Sequence, residues 1–305
     1  MTERRHLETI LVATDFSESA EGAIDWAVEV ARPHRAKLLL VHALQPPVPI
    51  VASPEAIPLP VEVYEADRKR CEEELIERAD RLRSAGTPVE TKMVVGAAAR
   101  SLIEVGEAVH ADLIVAGTRG QTGLKRVFLG STAAYLVRHS TCPVLTVHPE
   151  HIRKHRPIHR ILVPTDYSHD AERALREAAG ILGPVSEHAK VILLHVYRAH
   201  PEVVYPWTPP PIVHRSNEMA LDARQRLEEV AAPIRQLGFE VELVAQEGHP
   251  ADVIDEEAKR VDADLIAMGT HGHSGLRRLL FGSVAERVLP AAPCPVLTVH
   301  TEETA

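Results

Sequence analysis

An internal repeat that covers nearly all 305 residues is the feature that most constrains the fold of this chain. Equivalent residues lie at an almost constant offset: 151 residues separate Asp15 from Asp166, and 152 separate Gly117 from Gly269. This offset indicates a duplicated domain, since repeats that stack into solenoids have periods of about 20–50 residues. The repeated segments are ILVATDFS (10–17) and ILVPTDYS (161–168), KLLLVHA (37–43) and KVILLHV (190–196), ADLIVAGTRG (111–120) and ADLIAMGTHG (263–272), and CPVLTVH (142–148 and 294–300).

The repeat predicts two domains, residues 1–148 and 158–305, joined by a linker at 149–157. Two domains also suit the length, because one domain commonly takes about 100–200 residues. The junction is rich in histidine, and we expect these side chains to be solvated, since no cysteine or carboxylate pattern completes a metal site there. They are His148, His151, His155 and His159.

Short apolar runs alternate with helical patterns in each copy, which predicts βαβ units and a parallel sheet. Because the strands are continuously apolar, we expect a sheet buried on both faces. The fold class is therefore α/β: two tandem doubly wound domains, each a five-stranded, mostly parallel sheet flanked by helices. The elements predicted in the first copy are strands Ile10–Ala13, Leu113–Ala116 and Val144–Val147, a helix capped by Ser17 that runs to about Ala31, a helix from about Tyr64 to Arg83, a helix around Leu102–Val105, and a helix from Gly130 that ends before Thr141.

Two proline-rich stretches, 45–60 and 200–213, follow the second strand of each copy. Proline removes backbone donors and interrupts regular structure, so we expect long loops that act as lids or interface arms.

Composition excludes several classes of protein. The net charge of −9 disfavours a protein that neutralises nucleic-acid phosphates, and 4% aromatic residues disfavour a base-stacking surface. No apolar stretch reaches the roughly 18 residues of a membrane span. The three cysteines form no CxxC pair, which favours a reducing compartment, so we expect a cytoplasmic protein without nucleic-acid or membrane partners.

Polar residues cluster where the predicted strands end. Thr14 and Asp15 close the first strand, Gly117 closes the fourth, and the pattern continues as Gly-x2-Gly-x9-Gly-Ser to Gly130 and Ser131. Glycine lets the backbone approach a phosphate, and the N–H groups at a helix start bind anions. An aspartate cannot favour phosphate, but it accepts hydrogen bonds from ribose hydroxyls or a base amino group. The pattern, present twice, therefore predicts a nucleoside phosphate site in each copy.

This combination resembles the universal stress protein family, in its ATP-binding subclass and tandem form, over nearly the whole chain. The resemblance implies an adenine nucleotide alpha hydrolase-like fold and an adenosine phosphate (ATP, or ADP or AMP, with Mg²⁺ as a candidate companion) across the ends of strands one and four. The residues it implies in the first domain are Ala13, Asp15, Ala43, Ala116, Gly117, Gly120, Gly130, Ser131 and Thr132. Those in the second domain are Pro164, Asp166, Val196, Met268, Gly269, Gly272, Gly282, Ser283 and Val284.

The first copy departs from the second at its adenosine end. Ala13 stands where the second copy has Pro164, and Ala43 stands where it has Val196. Arg119 also replaces His271. The smaller alanines reduce apolar contact with the base, so we expect weaker binding in the first domain.

Other nucleotide-binding classes fit less well. A P-loop enzyme needs Gly-x4-Gly-Lys-Ser/Thr after the first strand, and a dinucleotide oxidoreductase needs its glycine fingerprint there, whereas Thr-Asp occupies that place. His271 and His273 are replaced by Arg119 and Gln121 in the first copy, which disfavours a duplicated catalytic base. We therefore expect a nucleotide-dependent stress-response regulator with no catalytic residue and no metal held by side chains alone. Slow ATP hydrolysis and a nucleotide-free scaffold are the alternatives.

The last strand of each copy is apolar, and an exposed apolar edge invites pairing. In the resembling family two domains associate through this strand, which implies an intramolecular pairing of 142–147 with 294–299. A homodimer is a further expectation.

Overall fold

The computed structural model describes residues 6–45, 61–118, 129–151, 158–182, 189–198, 212–270 and 282–299. The chain divides between residues 155 and 156 into two compact units. We call them the first and second unit; the domain and linker boundaries given above stay a prediction. Nearly all of both proline-rich stretches lies outside the described residues.

Strands and helices alternate through the first unit, as the sequence predicts. Its strands are β1 (Thr9–Ala13), β2 (Lys37–Leu44), β3 (Val89–Val95), β4 (Leu113–Gly117) and β5 (Val144–Val147). Its helices are α1 (Glu18–His34), α2 (Val61–Ser84), α3 (Ala98–Ala108) and α4 (Ser131–His139).

The second unit repeats this order. Its strands are β6 (Arg160–Pro164), β7 (Lys190–Tyr197), β8 (Glu240–Glu247), β9 (Leu265–Gly269) and β10 (Val296–Val299). Its helices are α5 (His169–Leu182), α6 (Ile212–Gln236), α7 (Pro250–Arg260) and α8 (Ser283–Ala291).

The strand order is β3-β2-β1-β4-β5 in the first unit and β10-β9-β6-β7-β8 in the second. All these neighbours pair in parallel; Val12, for example, lies beside Leu40 of β2 and Val115 of β4. The chain runs outward from β1 to β3 and then crosses back to β4, so the order reverses between β1 and β4. Ligands of doubly wound sheets bind at the carboxyl ends of strands at such a switch point. The predicted fold class is confirmed.

Burial explains why the inner strands form. Ile10, Leu11 and Val12 of β1 are completely buried, as expected for a central strand covered on both faces. In the outer strand β3 only Val89 is buried, and the other residues are half-buried or exposed. Helix α1 begins after Ser17 and ends at His34, and the next residue, Arg35, has a left-handed conformation. The structure adds the bounds of β3, which the sequence patterns did not supply.

Candidate functional site

The turn that follows β1 is held by its own side chains. Thr14 Oγ1 accepts a hydrogen bond from the Phe16 N–H at 3.1 Å, and Asp15 Oδ1 accepts one from the Ser17 N–H at 3.1 Å. Ser17 then caps α1, because its Oγ accepts from the Ala20 N–H at 3.2 Å. These bonds hold Asp15 at the carboxyl end of the central strand.

The second unit builds the same turn after β6. Thr165 Oγ1 accepts from the Tyr167 N–H at 3.0 Å, and Asp166 Oδ1 accepts from the Ser168 N–H at 3.0 Å. Ser168 Oγ accepts from the Ala171 N–H at 3.3 Å. The repeated residues of the sequence therefore form a repeated local structure.

An aromatic residue in each turn has a left-handed backbone. Phe16 and Tyr167 both have φ of 65°, which costs a bulky residue about 1–3 kcal/mol. Each ring packs on a histidine at a centroid distance of 4.5 Å, Phe16 on His42 and Tyr167 on His195. His42 Nδ1 donates to the Thr14 carbonyl oxygen at 2.8 Å, and since that oxygen can only accept, Nδ1 carries a proton. The sequence motifs do not reveal this role, although TDFS and TDYS place an aromatic residue at the same position.

Helix α4 begins without a side-chain cap. Gly130 occupies the capping position, and its N–H donates to the Thr118 carbonyl oxygen at 2.8 Å. The first N–H groups of any α-helix have no carbonyl partner within the helix, and glycine has no side chain to accept from them. The start of α4, from Ser131, is thus suited to bind an anion. Gly282 and α8 repeat the arrangement.

Close packing, rather than contact with a ligand, requires glycine at the end of β4. A Cβ atom on Gly117 would lie 2.5 Å from Ser19 Oγ and 2.9 Å from the Ser19 carbonyl carbon, so α1 leaves no room for a side chain. At the equivalent Gly269, a Cβ would lie 2.6 Å from Asp170 Cβ. These glycines therefore have a structural role whatever the units bind.

The predicted residues of the first unit line one cavity of about 540 Å³. The Asp15 turn and the start of α4 both border it, on either side of the switch point. Gly120 lies outside the described residues. The predicted residues that line this cavity are Ala13, Asp15, Ala43, Ala116, Gly117, Gly130, Ser131 and Thr132.

The second unit has a corresponding cavity of about 360 Å³. Gly272 lies outside the described residues. Every other predicted residue lines the cavity, and Ile254 of α7 adds an apolar wall. The predicted residues present are Pro164, Asp166, Val196, Met268, Gly269, Gly282, Ser283 and Val284. Both sets are thus brought together; their contact with a nucleotide stays a prediction.

Helix α2 supplies residues of the first cavity that the sequence analysis did not identify. Asp67, Arg70 and Cys71 line it beside Phe16 and His42. Burial, and then the nearby Asp67 carboxylate, raise the pKa of the Cys71 thiol above its ordinary value. We expect this thiol to be protonated at neutral pH. No motif marks these positions, because they come from the packing of a long helix over the strand ends.

Comparison with known proteins identifies the chain. The universal stress protein family matches residues 6–148 and 157–300. This chain belongs to that family. A universal stress protein of Mycolicibacterium smegmatis is 30% identical over 303 residues, which cover 95% of this chain and 96% of that protein. The resemblance stated from the motifs is confirmed.

Other relatives share the tandem arrangement. A universal stress protein of Mycobacterium tuberculosis is 28% identical over 97% of both chains. The crystal structure of a universal stress protein from Archaeoglobus fulgidus matches with a TM-score of 0.68 at 21% identity, covering 96% of this chain and 98% of that one. At 21% identity, this structural similarity supports the fold alone. The protein is therefore a tandem universal stress protein.

The expectation of solvated junction histidines is wrong for two of the four. His148 and His151 are buried, with exposed fractions of 3% and 8%. His148 Nδ1 and Thr118 Oγ1 lie 2.8 Å apart in a hydrogen bond, and the His151 carbonyl oxygen accepts from Trp26 Nε1–H at 3.0 Å. The chain after β5 packs against α1 and the end of β4, which a polar sequence alone does not reveal. His155 lies outside the described residues.

The described residues show neither a membrane-spanning helix nor a cluster of metal-ligand side chains. No helix among them is both long and apolar enough to cross a membrane. Within the same ranges, no group of three or more His, Cys, Asp or Glu side chains is placed to hold a metal ion.

Proposed function

We propose that each unit of this universal stress protein binds ATP, or a related adenine nucleotide, at the carboxyl ends of its first and fourth strands. We further propose that nucleotide binding regulates a stress response. One observation carries the proposal: in each unit an aspartate and an uncapped helix start line the same cavity. These two features suit opposite parts of a nucleotide.

The order of strands suggests how the ligand lies. Phosphates suit the start of α4, where N–H groups and the helix dipole favour negative charge. Asp15, after the neighbouring strand β1, can accept from ribose hydroxyls. The base then lies past β1, beside Ala43 of β2. Since neighbouring strands are about 4.8 Å apart, the site from β4 to β2 extends over about 10 Å.

The cavity volumes are compatible with this ligand, because small-molecule sites commonly measure about 300–1,000 Å³. Cavities of about 540 and 360 Å³ fall in that range. Mg²⁺ usually retains waters and binds phosphates with few protein carboxylates. We therefore expect Mg²⁺ to bind through the phosphate oxygens.

The two units are proposed to differ in affinity. Pro164 and Val196 present more apolar surface to the base than Ala13 and Ala43 do, and both pairs line their cavities. Burial of apolar area contributes about 25 cal/mol per Å². We expect the second unit to bind ATP more tightly.

The first test is to denature the purified chain and identify the released small molecules by mass spectrometry, with thermal unfolding measured with and without ATP. Adenine nucleotide, or an ATP-dependent rise in the unfolding temperature, supports the proposal. A protein that releases no nucleotide and shows no shift would be a scaffold. Turnover at about 1 s⁻¹ or faster would instead identify an enzyme.

A further inference from the structure

The first cavity includes a space beside α2, and among the described residues the second cavity has no counterpart to it. We call this space the α2 recess; Phe16, His42, Asp67, Arg70 and Cys71 line it. The first cavity measures about 540 Å³ and the second about 360 Å³. The two cavities therefore differ in size as well as in the side chains near the base.

The equivalent helix of the second unit, α6, does not border the second cavity in the part whose side chains are described. Buried Leu75 of α2 and Leu227 of α6 correspond at an offset of 152 residues, and the same offset pairs Cys71 with Ala223. In the part of α6 whose side chains are described, residues 219–236, no residue lines the second cavity.

The aromatic residue of the turn also differs between the two units. Tyr167 Oη donates to the Ala223 carbonyl oxygen at 3.1 Å, so this side chain joins the turn directly to α6. Burial raises the pKa of Tyr167 to about 12, which keeps its hydroxyl protonated as a donor. Phe16 has no hydroxyl, and its ring lies between His42 and the Arg78 guanidinium, which is 4.7 Å from the ring centroid. The space toward Cys71 remains part of the cavity.

The recess has polar walls. Arg70 Nη2 donates to Asp67 Oδ1 at 2.6 Å, so a carboxylate and a guanidinium lie together at its border. It adjoins the β2 side of the site, whereas the start of α4 lies on the β4 side. A group that enters the recess would therefore extend from the base and not from the phosphates.

We infer that the first unit accepts adenine nucleotides with a polar substituent on the purine, whereas the second unit excludes them. Phe16 opens the recess and Tyr167 closes the equivalent space, so this one position sets the specificity of each unit. The inference rests on the proposed nucleotide site.

The test uses proteins in which one of the two sites is weakened. Ser131→Glu and Ser283→Glu place a carboxylate at the exposed start of α4 or α8, which disfavours phosphate in that unit alone. Titration calorimetry then compares ATP with two probes, ATP bearing an aminohexyl chain at N6 and ATP bearing it at C8. The Ser283→Glu protein reports on the first unit, and we expect at least one probe to bind it with an affinity within about threefold of that of ATP. The Ser131→Glu protein reports on the second unit, and we expect both probes to bind it at least about tenfold more weakly than ATP, which is the loss expected from overpacking.

Exchange of the aromatic residues gives matched controls. Phe16→Tyr lowers the probe-to-ATP affinity ratio of the first unit about tenfold, and Tyr167→Phe raises that of the second. ATP affinity, measured on each variant, controls for a damaged fold. The inference is overturned if the probe-to-ATP affinity ratio is equal in both units, or if the two exchanges leave it unchanged, in a protein that still binds ATP. Failure of the unmodified chain to bind ATP overturns the proposed function as well.

Discussion

Replacing Ser131 by glutamate places a carboxylate at the start of α4, where we expect phosphates to bind. Ser131 is exposed and is the first residue of the helix, so a larger side chain can extend into solvent. A negative charge in the first turn also interacts favourably with the helix dipole, which stabilises the helix by about 0.3–1 kcal/mol. The substitution should therefore weaken nucleotide binding without lowering stability.

Coulomb's law gives the size of the effect. At about 6 Å, a carboxylate and one phosphate charge repel by about 0.7 kcal/mol in water and about 2.8 kcal/mol at an effective dielectric constant of 20. A site at the mouth of a cavity lies between these limits, and a nucleotide carries several charges. We expect a loss of about 1.4–2.8 kcal/mol, or about 10- to 100-fold in affinity.

Ser131→Gln is the matched control, because glutamine has the size of glutamate without its charge. Titration calorimetry with ATP should show weaker binding at the first site for glutamate than for glutamine, and no change at the second. The difference should shrink as salt is added. Equal affinities of the two variants at low salt, with both proteins folded, would refute the placement of phosphate at α4.

Three further predictions concern stability. Gly117→Ala should lower the free energy of unfolding by about 1–3 kcal/mol, seen as a lower unfolding temperature, because the new Cβ would lie 2.5 Å from Ser19 Oγ. Unchanged stability would contradict the close packing. Asp112→Ala should lower the free energy of unfolding, measured with denaturant, by about 1–3 kcal/mol, because the carboxylate accepts hydrogen bonds from the N–H groups of Glu8 and Thr9 at 2.8 and 3.0 Å. An unchanged free energy would show that water replaces the carboxylate. Hydrogen bonding from Lys190 lowers the pKa of Glu242 in the folded chain. The pair therefore stabilises the fold at pH values above the pKa of this carboxyl in the unfolded chain, and the stabilisation disappears as pH falls through the lowered pKa. Lys190→Met should therefore lower the unfolding temperature more at pH 7 than at pH 3, and an equal loss at both would exclude this linkage.

The sequence predicts the fold well because the repeat indicates a duplicated domain and the apolar runs indicate buried parallel strands. Ser17 was identified as a helix cap, and its Oγ accepts from Ala20 N–H. The strand ends meet in space because parallel strands share one carboxyl edge, so Asp15 and Gly130 border one cavity. The bounds of β3 were harder to predict, because an outer strand lacks the continuous apolar pattern.

The details of the site depend on tertiary packing, which no motif encodes. Gly117 was assigned to the nucleotide site, yet the proximity of Ser19 requires glycine there in any case. Asp67 and Cys71 enter the first cavity only because α2 crosses the strand ends. The buried His148 likewise depends on a partner distant in sequence, Thr118.

In both units, an uncapped helix start and a strand-end aspartate are proposed to form a nucleotide site. Titration of the ligand-stripped chain with ATP at low salt tests it most directly. We predict two sites per chain, of which Ser131→Glu weakens one and Ser283→Glu the other. No binding in the unmodified chain, or an ATP affinity that both substitutions together leave unchanged, would contradict the proposal.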